Sequence, residues 1–373
     1  MAKKPLRILV VDDTVVYRKT VSDILSEIPD VEVVGTANNG KIAMMKIASL
    51  KPDLLTLDIE MPEMNGLDVL RAMQTEAPDV GAIVLSTLTH KGGDLTIKAL
   101  ELGAFDYITK PETGSIEESK KEIRRSLSLL LKGFSRNLEV KHILKGVKLS
   151  DSLYSASTQY TASASKKRNV SPNWSSQRRA SAQIIGIGVS TGGPKALTEM
   201  MPRIPADINV PILIVQHMPP LFTESLAKSL DAHCAIDVKE AEDGEVIRPN
   251  VAFIAPGGKQ MKVVASADGL NRIIRITDDP PENSCKPSVD YLFKSIAEHY
   301  VGRSAGIIMT GMGSDGTLGL RMMKRNGSFI IAQDEPSCIV FGMPKKPIDE
   351  GIVDVIAPLD RLADEICNCV KPV

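Results

Sequence analysis

The second half of this chain begins with IIGIGVSTGGP, residues 184–194. Its first six residues are apolar or glycine, Ser190 follows them, and Gly192-Gly193-Pro194 then opens a helical pattern. A buried strand that passes through a turn into a helix is the repeating unit of parallel α/β sheets. In such a turn a serine hydroxyl stands at the end of the strand, and backbone N–H groups point at whatever it attacks. An ordinary turn that caps a helix also fits Gly188-x-Ser190-x-Gly192, so both interpretations stay open here.

Length and composition limit the class of protein. The 373 residues suffice for two or three domains, and 43% hydrophobic with 24% charged residues is normal for a globular chain. A formal net charge of −1 argues against a nucleic-acid partner held by bulk electrostatics. No apolar run reaches the length of a membrane span, and the N-terminus leads into a strand rather than a signal peptide. We therefore expect a cytoplasmic protein with no membrane insertion.

The five cysteines indicate reduced thiols. They are odd in number, and none forms a C-x-x-C pair, which favours a cytosolic protein without disulfides. Cys367-Asn368-Cys369 could bind a metal, but no histidine or further cysteine pair accompanies it. A metal site there is the weaker interpretation.

The first third of the chain alternates strand and helix patterns. A helical pattern such as Val15–Ile28 lies between successive apolar runs. Those runs predict strands at Leu6–Val11, Val31–Thr36, Leu54–Leu57, Ala82–Leu85 and Phe105–Ile108. The alternation predicts an α/β domain over residues 5–125, a doubly wound parallel sheet with helices on both faces.

Residues 126–181 have a different composition. A charged helical pattern runs from Ile116 to about Lys132, and residues 150–181 are rich in Ser, Thr, Ala and basic side chains. So few large apolar side chains cannot offset the entropy lost on ordering, which predicts a flexible linker. The linker contains the only tryptophan, Trp174, which is either incidental or a docking anchor.

Residues 182–373 alternate again. Strands are predicted at Gln183–Val189, Ile212–Gln216, Ala252–Ile254, Ile273–Ile276, Ala305–Thr310 and Phe329–Ala332. Helical patterns cover Leu221–Leu230, Val289–Tyr300 and Thr317–Lys324. We expect a second doubly wound α/β domain, Rossmann-like and three-layered, with its own core.

Polar side chains follow the strands of the first domain. Asp12 and Asp13, Asp58, Ser86 and Lys110 stand at the carboxyl ends of four of its strands, where function collects in parallel sheets. Clustered carboxylates repel one another unless a cation lies among them, and Mg²⁺ with oxygen ligands is the natural one. Such a site suits phosphoryl transfer to one carboxylate, with the metal, hydroxyl and lysine neutralising the phosphoryl oxygens. Polar residues that merely begin loops are the alternative.

Three motifs of this domain resemble the response-regulator receiver family. They are VVDD (10–13), LDIEMPEMNGL (57–67) and TKP (109–111). The resemblance implies a flavodoxin-like fold and phosphorylation of Asp58 by a histidine kinase. It further implies Mg²⁺ held by Asp12, Asp13 and Asp58, a switch hydroxyl at Ser86, or at Thr87 if the register shifts by one, and a functional lysine at Lys110.

The same reading of strand ends applies to the second domain. Ser190, His217 and Asp315 project from the ends of three predicted strands. A serine becomes a nucleophile when a base takes its proton, and the base needs an orienting acceptor, so the three suit a catalytic triad. Asp290 is the rival acid, and Asp315 has the alternative role of helix N-cap. Backbone N–H groups of the Gly192–Pro194 and Gly311–Gly313 turns could form an oxyanion hole.

The motifs of this domain resemble the chemotaxis protein-glutamate methylesterase family over residues 182–370. They are GVSTGGP (188–194), VQHMP (215–219), AEDGE (241–245), FIAPGG (253–258) and TGMGSDG (310–316). The resemblance implies Ser190 as nucleophile, His217 as base and Asp315 as orienting acid, with support from Thr191 and Met312. It also implies hydrolysis of glutamate methyl esters and deamidation of glutamines on chemoreceptors, activated by phosphorylation, with no cofactor in the catalytic domain.

Two other functions remain as alternatives. A receiver can be joined to a DNA-binding output, but the second half has no compact helix-turn-helix pattern and no basic face. Gly186-x-Gly188 could begin a nucleotide-binding fingerprint, but the rest of that pattern fits poorly. We therefore expect a serine hydrolase.

Overall fold

The computed structural model describes residues 4–110, 116–146 and 181–371, which form two α/β units. Almost all of the predicted linker at 150–181, with Trp174, lies outside these residues. No helix within the described ranges is long and apolar enough to cross a bilayer.

The first unit is a five-stranded parallel sheet with the strand order β2-β1-β3-β4-β5. Its strands are β1 (Leu6–Val11), β2 (Val31–Ala37), β3 (Leu54–Asp58), β4 (Gly81–Ser86) and β5 (Asp106–Thr109). Its helices are α1 (Val15–Ser26), α2 (Gly40–Leu50), α3 (Gly66–Glu76), α4 (His90–Glu101) and α5 (Ile116–Gly146). The central strands are buried because helices cover both faces, which confirms the predicted sheet.

Helix α5 is longer than predicted. The charged pattern suggested an end near Lys132, whereas the helix continues to Gly146. Beyond Lys132, Phe134 is buried and Leu138 half-buried against the core of the first unit, and this packing continues the helix past its predicted end. The expected domain boundary at residue 125 therefore falls inside one continuous helix.

The second unit is a seven-stranded sheet, parallel throughout, with the order β14-β13-β12-β6-β7-β9-β8. Its strands are β6 (Ile184–Val189), β7 (Ile212–Gln216), β8 (Asp237–Glu240), β9 (Val251–Ile254), β12 (Ser304–Ile308), β13 (Phe329–Gln333) and β14 (Val355–Ala357). Its helices are α6 (Gly193–Met200), α7 (Phe222–Asp231), α8 (Val289–His299), α9 (Thr317–Arg325), α10 (Lys345–Asp349) and α11 (Leu362–Val370).

One predicted strand belongs elsewhere. The segment predicted at Ile273–Ile276 forms β11 (Arg272–Thr277), which pairs antiparallel with β10 (Gln260–Ala265) outside the parallel sheet. Ile274 is the buried residue of this strand and Arg275 beside it is exposed, as in a hairpin with one solvated face. The predicted strand is confirmed, and it lies in a hairpin beside the parallel sheet.

Each sheet has one point where the strand order reverses. In the first sheet β1 lies between β2 and β3, and in the second β6 lies between β7 and β12. Loops at the carboxyl ends of strands beside such a point diverge and leave a crevice where ligands bind. The residues that follow β6, β7 and β12 therefore meet at one edge of the second sheet.

Candidate functional site

The second sheet brings together the base and the acid that the sequence predicted. His217 directly follows β7, and Asp315 lies in the loop after β12. The His217 Nε2 atom lies 2.9 Å from Asp315 Oδ2. Asp315 is buried and His217 keeps 15% of its side chain exposed, so the imidazole lies at the rim of the site.

Asp315 is surrounded by hydrogen-bond donors. Besides the imidazole, the donors are Asn283 Nδ2, Ser288 Oγ and the backbone N–H groups of Val289, Asp290 and Gly316. Val289 and Asp290 form the first turn of α8, whose N-terminus favours a negative charge. Burial alone would raise the pKa of Asp315, but the donors outweigh it and lower the pKa to about 2. Asp315 is thus a permanent carboxylate at neutral pH.

The sequence left two alternatives to Asp315 as the acid: Asp290 as the carboxylate, and a helix N-cap role for Asp315. The structure gives these two aspartates different partners. Gly316, rather than Asp315, stands at the N-cap of α9, and the Asp315 carboxylate instead accepts from the start of α8. Asp290 accepts hydrogen bonds from Asn283 and from the backbone N–H of Gly319. Among the described residues, Asp315 is therefore the carboxylate that hydrogen-bonds His217.

The tautomer of His217 follows from this contact. A carboxylate is acceptor-only, so Nε2 carries the hydrogen and the neutral ring has its lone pair on Nδ1. The Nδ1 atom faces the thiol of Cys285, with Sγ 3.8 Å away. Burial lowers the pKa of His217, but the Asp315 hydrogen bond and Cys285 outweigh it and raise the pKa to about 9. Sequence reasoning gave Cys285 no role.

Ser190 lies directly against the loop after β12. Its N–H donates to the carbonyl of Thr310 at 3.0 Å. A Cβ on Gly311 would lie 2.7 Å from the Ser190 Cβ, so glycine is needed for this approach. Within the described part of the chain, Ser190 has no hydrogen bond to His217, and the N–H groups of Thr191 and Met312 have no acceptor.

A cavity of about 230 Å³ connects these groups. Ser190, Thr191, His217 and Met312 line one side of it. The opposite side is formed by the first unit, through Asp106–Thr109 of β5 and through side chains of α5. The candidate site therefore lies at the interface between the two units.

Asp106 makes a hydrogen bond across this interface to the turn that carries Ser190. Its Oδ2 accepts a hydrogen bond of 2.9 Å from the backbone N–H of Gly192, two residues after the serine. Burial raises the pKa of Asp106 to about 6. The ring of Tyr107 stacks on Phe222, with centroids 5.3 Å apart. Neither contact was foreseen from the sequence.

Helix α4 makes the second part of the interface by packing on α7. A Cβ on Gly93 would lie 2.9 Å from Ser225 Oγ, so the two helices approach closely at this glycine. Ser225 Oγ also donates to Asp94 Oδ1 at 2.6 Å. One cluster of buried apolar side chains extends from the first unit into the second.

The first sheet gathers its predicted residues as well. Lys110 Nζ lies 2.8 Å from Asp58 Oδ2 and 2.9 Å from Asp12 Oδ2. Burial raises the pKa of Asp58 to about 6, with Lys110 opposing and Asp12 and Asp13 adding to the rise. Each of these three aspartates offers an oxygen within 4.8 Å of the others, a donor set that fits Mg²⁺.

The two candidate switch hydroxyls differ in their surroundings. Ser86 is buried, and its Oγ donates to the carbonyl of Gly92 at 3.1 Å and lies 2.7 Å from Thr96 Oγ1. Thr87 is half-buried, and its Oγ1 lies 3.5 Å from that of Thr89. The Ser86 hydroxyl is therefore linked to the first turns of α4.

Comparisons with known proteins match both units. The family model for the CheB methylesterase matches residues 185–366, and that for the response regulator receiver domain matches residues 8–124. A relative from Desulfotalea psychrophila, named protein-glutamate methylesterase/protein-glutamine glutaminase, is 52% identical over 376 residues and covers 99% of both chains. A relative of the same name from Bacillus subtilis is 41% identical and covers 98% of this chain and 99% of its own length.

A solved structure of the Thermotoga maritima CheB methylesterase catalytic domain is 40% identical, covers 50% of this chain and 98% of that chain, and has a TM-score of 0.49. The family models and the curated relatives together account for both units of this chain. The chain therefore belongs to the protein-glutamate methylesterase/protein-glutamine glutaminase family, as an enzyme that combines a receiver domain with a CheB methylesterase domain.

Proposed function

We propose that this enzyme hydrolyses γ-glutamyl methyl esters on the cytoplasmic helices of methyl-accepting chemoreceptors, and deamidates specific glutamines there, in chemosensory adaptation. Ser190 is the nucleophile, His217 the base and Asp315 the acid that orients the base. The hydrogen bond between His217 Nε2 and Asp315 carries the proposal, because it leaves Nδ1 as the atom that accepts the serine proton.

The reaction follows from this assignment. Ser190 Oγ attacks the ester carbonyl as its proton passes to His217 Nδ1, and the proton then leaves with methoxide as methanol. We assign the oxyanion to the backbone N–H groups of Thr191 and Met312, which have no acceptor among the described residues, and one such donor is worth roughly 3–4 kcal/mol. A water molecule then gives a proton to His217 and attacks the acyl-enzyme. The ester bond to Ser190 breaks, Ser190 takes the proton back, and glutamate is released. For a glutamine substrate, ammonia leaves in place of methanol.

The serine and the histidine must approach each other during turnover. Catalytic hydrogen bonds are often long before substrate binds and tighten in the reacting complex. The cavity of about 230 Å³ that Ser190 and His217 share gives the substrate carbonyl a place between them. Because the receiver closes the far side of this cavity, a receptor helix needs the receiver to move.

Replacement of Ser190 tests the nucleophile. Ser190→Ala should lower methanol release from methylated receptor membranes by roughly 10⁶-fold, the size of the effect at other serine nucleophiles. The matched control is Ser266→Ala, on the exposed loop between β10 and β11, which should keep normal release. Near-normal turnover in Ser190→Ala would rule out this nucleophile.

We further propose that phosphorylation of Asp58 by a chemotaxis histidine kinase relieves inhibition by the receiver. Asp12, Asp13 and Asp58 would hold Mg²⁺, which when bound neutralises the oxygens of the incoming phosphoryl group. Lys110 already contacts two of these carboxylates and would pair with a phosphoryl oxygen. The first turns of α4 are tied to Ser86, so a hydroxyl that turns toward the phosphoryl group would pull on the helix that packs on α7.

The energy required is small. A tenfold activation needs about 1.4 kcal/mol of difference in docking free energy. Interfaces between domains of one chain are usually modest in area, so a shift of this order is attainable. Full-length enzyme should release methanol faster with a phosphodonor, and a fragment of residues 182–373 should exceed the unphosphorylated whole. Equal or lower activity of the fragment would count against inhibition by the receiver.

A further inference from the structure

We propose that Cys285 Sγ and His217 Nδ1 form a binding site for a thiophilic divalent cation, Zn²⁺ in particular, and that metal binding there blocks the enzyme. The inhibitory half of this proposal rests on the role proposed for His217, whereas the binding half rests on the structure alone. The site is separate from the oxygen-rich Mg²⁺ cluster of the receiver.

The separation of the two ligand atoms fits zinc. The thiol sulfur and the imidazole nitrogen lie 3.8 Å apart. With a Zn–S bond of about 2.3 Å and a Zn–N bond of about 2.0–2.1 Å, tetrahedral geometry separates the two ligand atoms by about 3.6 Å. The side chains thus stand at chelating distance without a change in the backbone.

The far side of the imidazole has the arrangement that metal-binding histidines show. A ligating histidine commonly donates its other N–H to a carboxylate, which fixes the tautomer and makes the free nitrogen a better ligand. Asp315 fills this place on Nε2 and is itself held by five further donors. His217, Cys285 and Asp315 each offer an atom within 4.8 Å of the other two.

The turn that carries Cys285 is also held in place. Glu282 and Cys285 exchange two backbone hydrogen bonds, of 3.2 and 2.8 Å, across a tight turn. Asn283, inside this turn, donates to both Asp290 and Asp315, and Glu282 pairs with Lys294 at 2.7 Å. These contacts tie the thiol to the frame that positions the imidazole, so metal binding requires little ordering of the chain.

Metal binding at Cys285 and His217 needs no oxidant or reductant. Binding forms a Zn–S and a Zn–N bond, and the thiol proton is released to solvent as Cys285 becomes a thiolate. The Nδ1 lone pair that would accept the Ser190 proton is then shared with the metal. Inhibition should be reversed by a chelator. Mg²⁺ should not compete, because it prefers oxygen ligands such as those of the receiver.

Cobalt(II) is the probe of direct thiolate ligation, because it replaces zinc and gives a thiolate-to-cobalt charge-transfer band in the near ultraviolet. The titration uses the full-length chain in excess Mg²⁺, which occupies the carboxylate cluster. The band should form in the wild-type chain and in Ser190→Ala. It should be lost in both Cys285→Ser and Cys285→Ala, and kept in the control Cys234→Ser, whose half-buried thiol lies on the α7–β8 connection.

Methanol release gives the second measurement. Zn²⁺ should inhibit the wild-type enzyme at least tenfold with recovery on chelation, and at least one of the two Cys285 variants should need tenfold more zinc for the same inhibition. Absence of the band, or its persistence in both Cys285 variants, would overturn the binding site. A band that depends on Cys285, without inhibition of turnover, would overturn the inhibitory half. Failure of the proposed nucleophile would show instead as turnover in Ser190→Ala with an unchanged band.

Discussion

The two halves of this enzyme place a buried aspartate at equivalent positions and give it opposite acidity. Asp58 ends β3, beside the reversal of strand order in the first sheet, and Asp315 follows β12, beside that of the second. The pKa of Asp58 is raised to about 6, and that of Asp315 is lowered to about 2. Burial raises both, so their other neighbours make the difference.

The neighbours differ in sign and number. Asp315 receives six hydrogen bonds, three of them from backbone N–H groups that cannot move away. Asp58 has the ammonium group of Lys110 on one side, with Asp12 and Asp13 nearby. A ring of fixed donors makes a permanent anion, which suits the orientation of a base. Lys110 also contacts Asp12, so one ammonium group only partly compensates the three carboxylates, which suits a site that takes up Mg²⁺ and a phosphoryl group.

Among the changes that test this comparison of two aspartates, neutralising Asp315 should have the largest effect. Asp315→Asn keeps the size of the side chain but removes the anion that selects the Nε2–H tautomer of His217. We expect turnover of the methyl ester to fall by roughly 10⁴-fold, the size seen for the same change in other triads. The exposed control Asp268→Asn should leave turnover unchanged. A loss of tenfold or less in Asp315→Asn would mean that the donor ring has no catalytic purpose.

The pH dependence of kcat/KM should reflect the hydrogen bond between His217 and Asp315. Because the pKa of His217 is raised to about 9, the neutral base is scarce at pH 7, and kcat/KM should rise roughly 50-fold between pH 7 and 9. A raised histidine pKa also stabilises the fold below its ordinary value of 6.5, and this stabilisation is lost as pH rises through about 9. In Asp315→Asn the rising limb should move to lower pH. A rising limb centred near pH 6.5 in the wild-type enzyme would contradict the raised pKa of His217.

Much of the fold could be predicted because parallel sheets are locally simple. Continuous apolar strands and the residues that follow them are visible in one sequence. Because the carboxyl ends of parallel strands lie at one edge of a sheet, the sequence predicted that His217 and Asp315 lie on the same edge. Three strands were missed: β8 has the sequence DVKE, β14 has three residues, and β10 lies in the hairpin with β11 outside the parallel sheet. Packing of Phe134 and Leu138 against the core, rather than a local pattern, also carried α5 past its predicted end.

The contacts that were missed join residues far apart in the chain. Asp106 and Gly192 are 86 positions apart, and His217 and Cys285 are 68 apart. In sequence Asp106 lies within an ordinary predicted strand, and Cys285 is one of five cysteines without a C-x-x-C partner. The contacts of Asp106 and Cys285 depend on how the two units dock and on the conformation of the loop that carries Cys285. Neither produces a periodic pattern in the sequence.

A third buried aspartate, Asp106, lies at the interface between the two units, and its replacement tests how the units dock. Asp106→Ala removes the acceptor of the Gly192 N–H, so we expect basal methanol release to rise about tenfold, equivalent to about 1.4 kcal/mol of docking. Asp106→Asn keeps an acceptor without the cost of burying a charge, and basal release should stay level or fall. The control is Glu32→Ala, on the exposed face of β2 at the opposite edge of the sheet. Equal activation by both Asp106 variants would exclude the hydrogen bond as the cause.

The smallest effect concerns the charge that Asp58 carries. Burial, with Asp12 and Asp13, raises its pKa to about 6 against the pull of Lys110, so its ionisation destabilises the receiver progressively from pH 3.8 to about 6 and fully above that. Asp58→Asn should therefore raise the receiver's melting temperature in Mg²⁺-free buffer at pH 7.5 by roughly 5 °C, about 1 kcal/mol for a domain of this size. Added Mg²⁺ should reduce this difference in melting temperature by stabilising the wild type. The control Asp23→Asn, on the exposed face of α1, should change the melting temperature little. A lower melting temperature for Asp58→Asn would mean that the ion pair with Lys110 outweighs the repulsion, and that this carboxylate needs no cation.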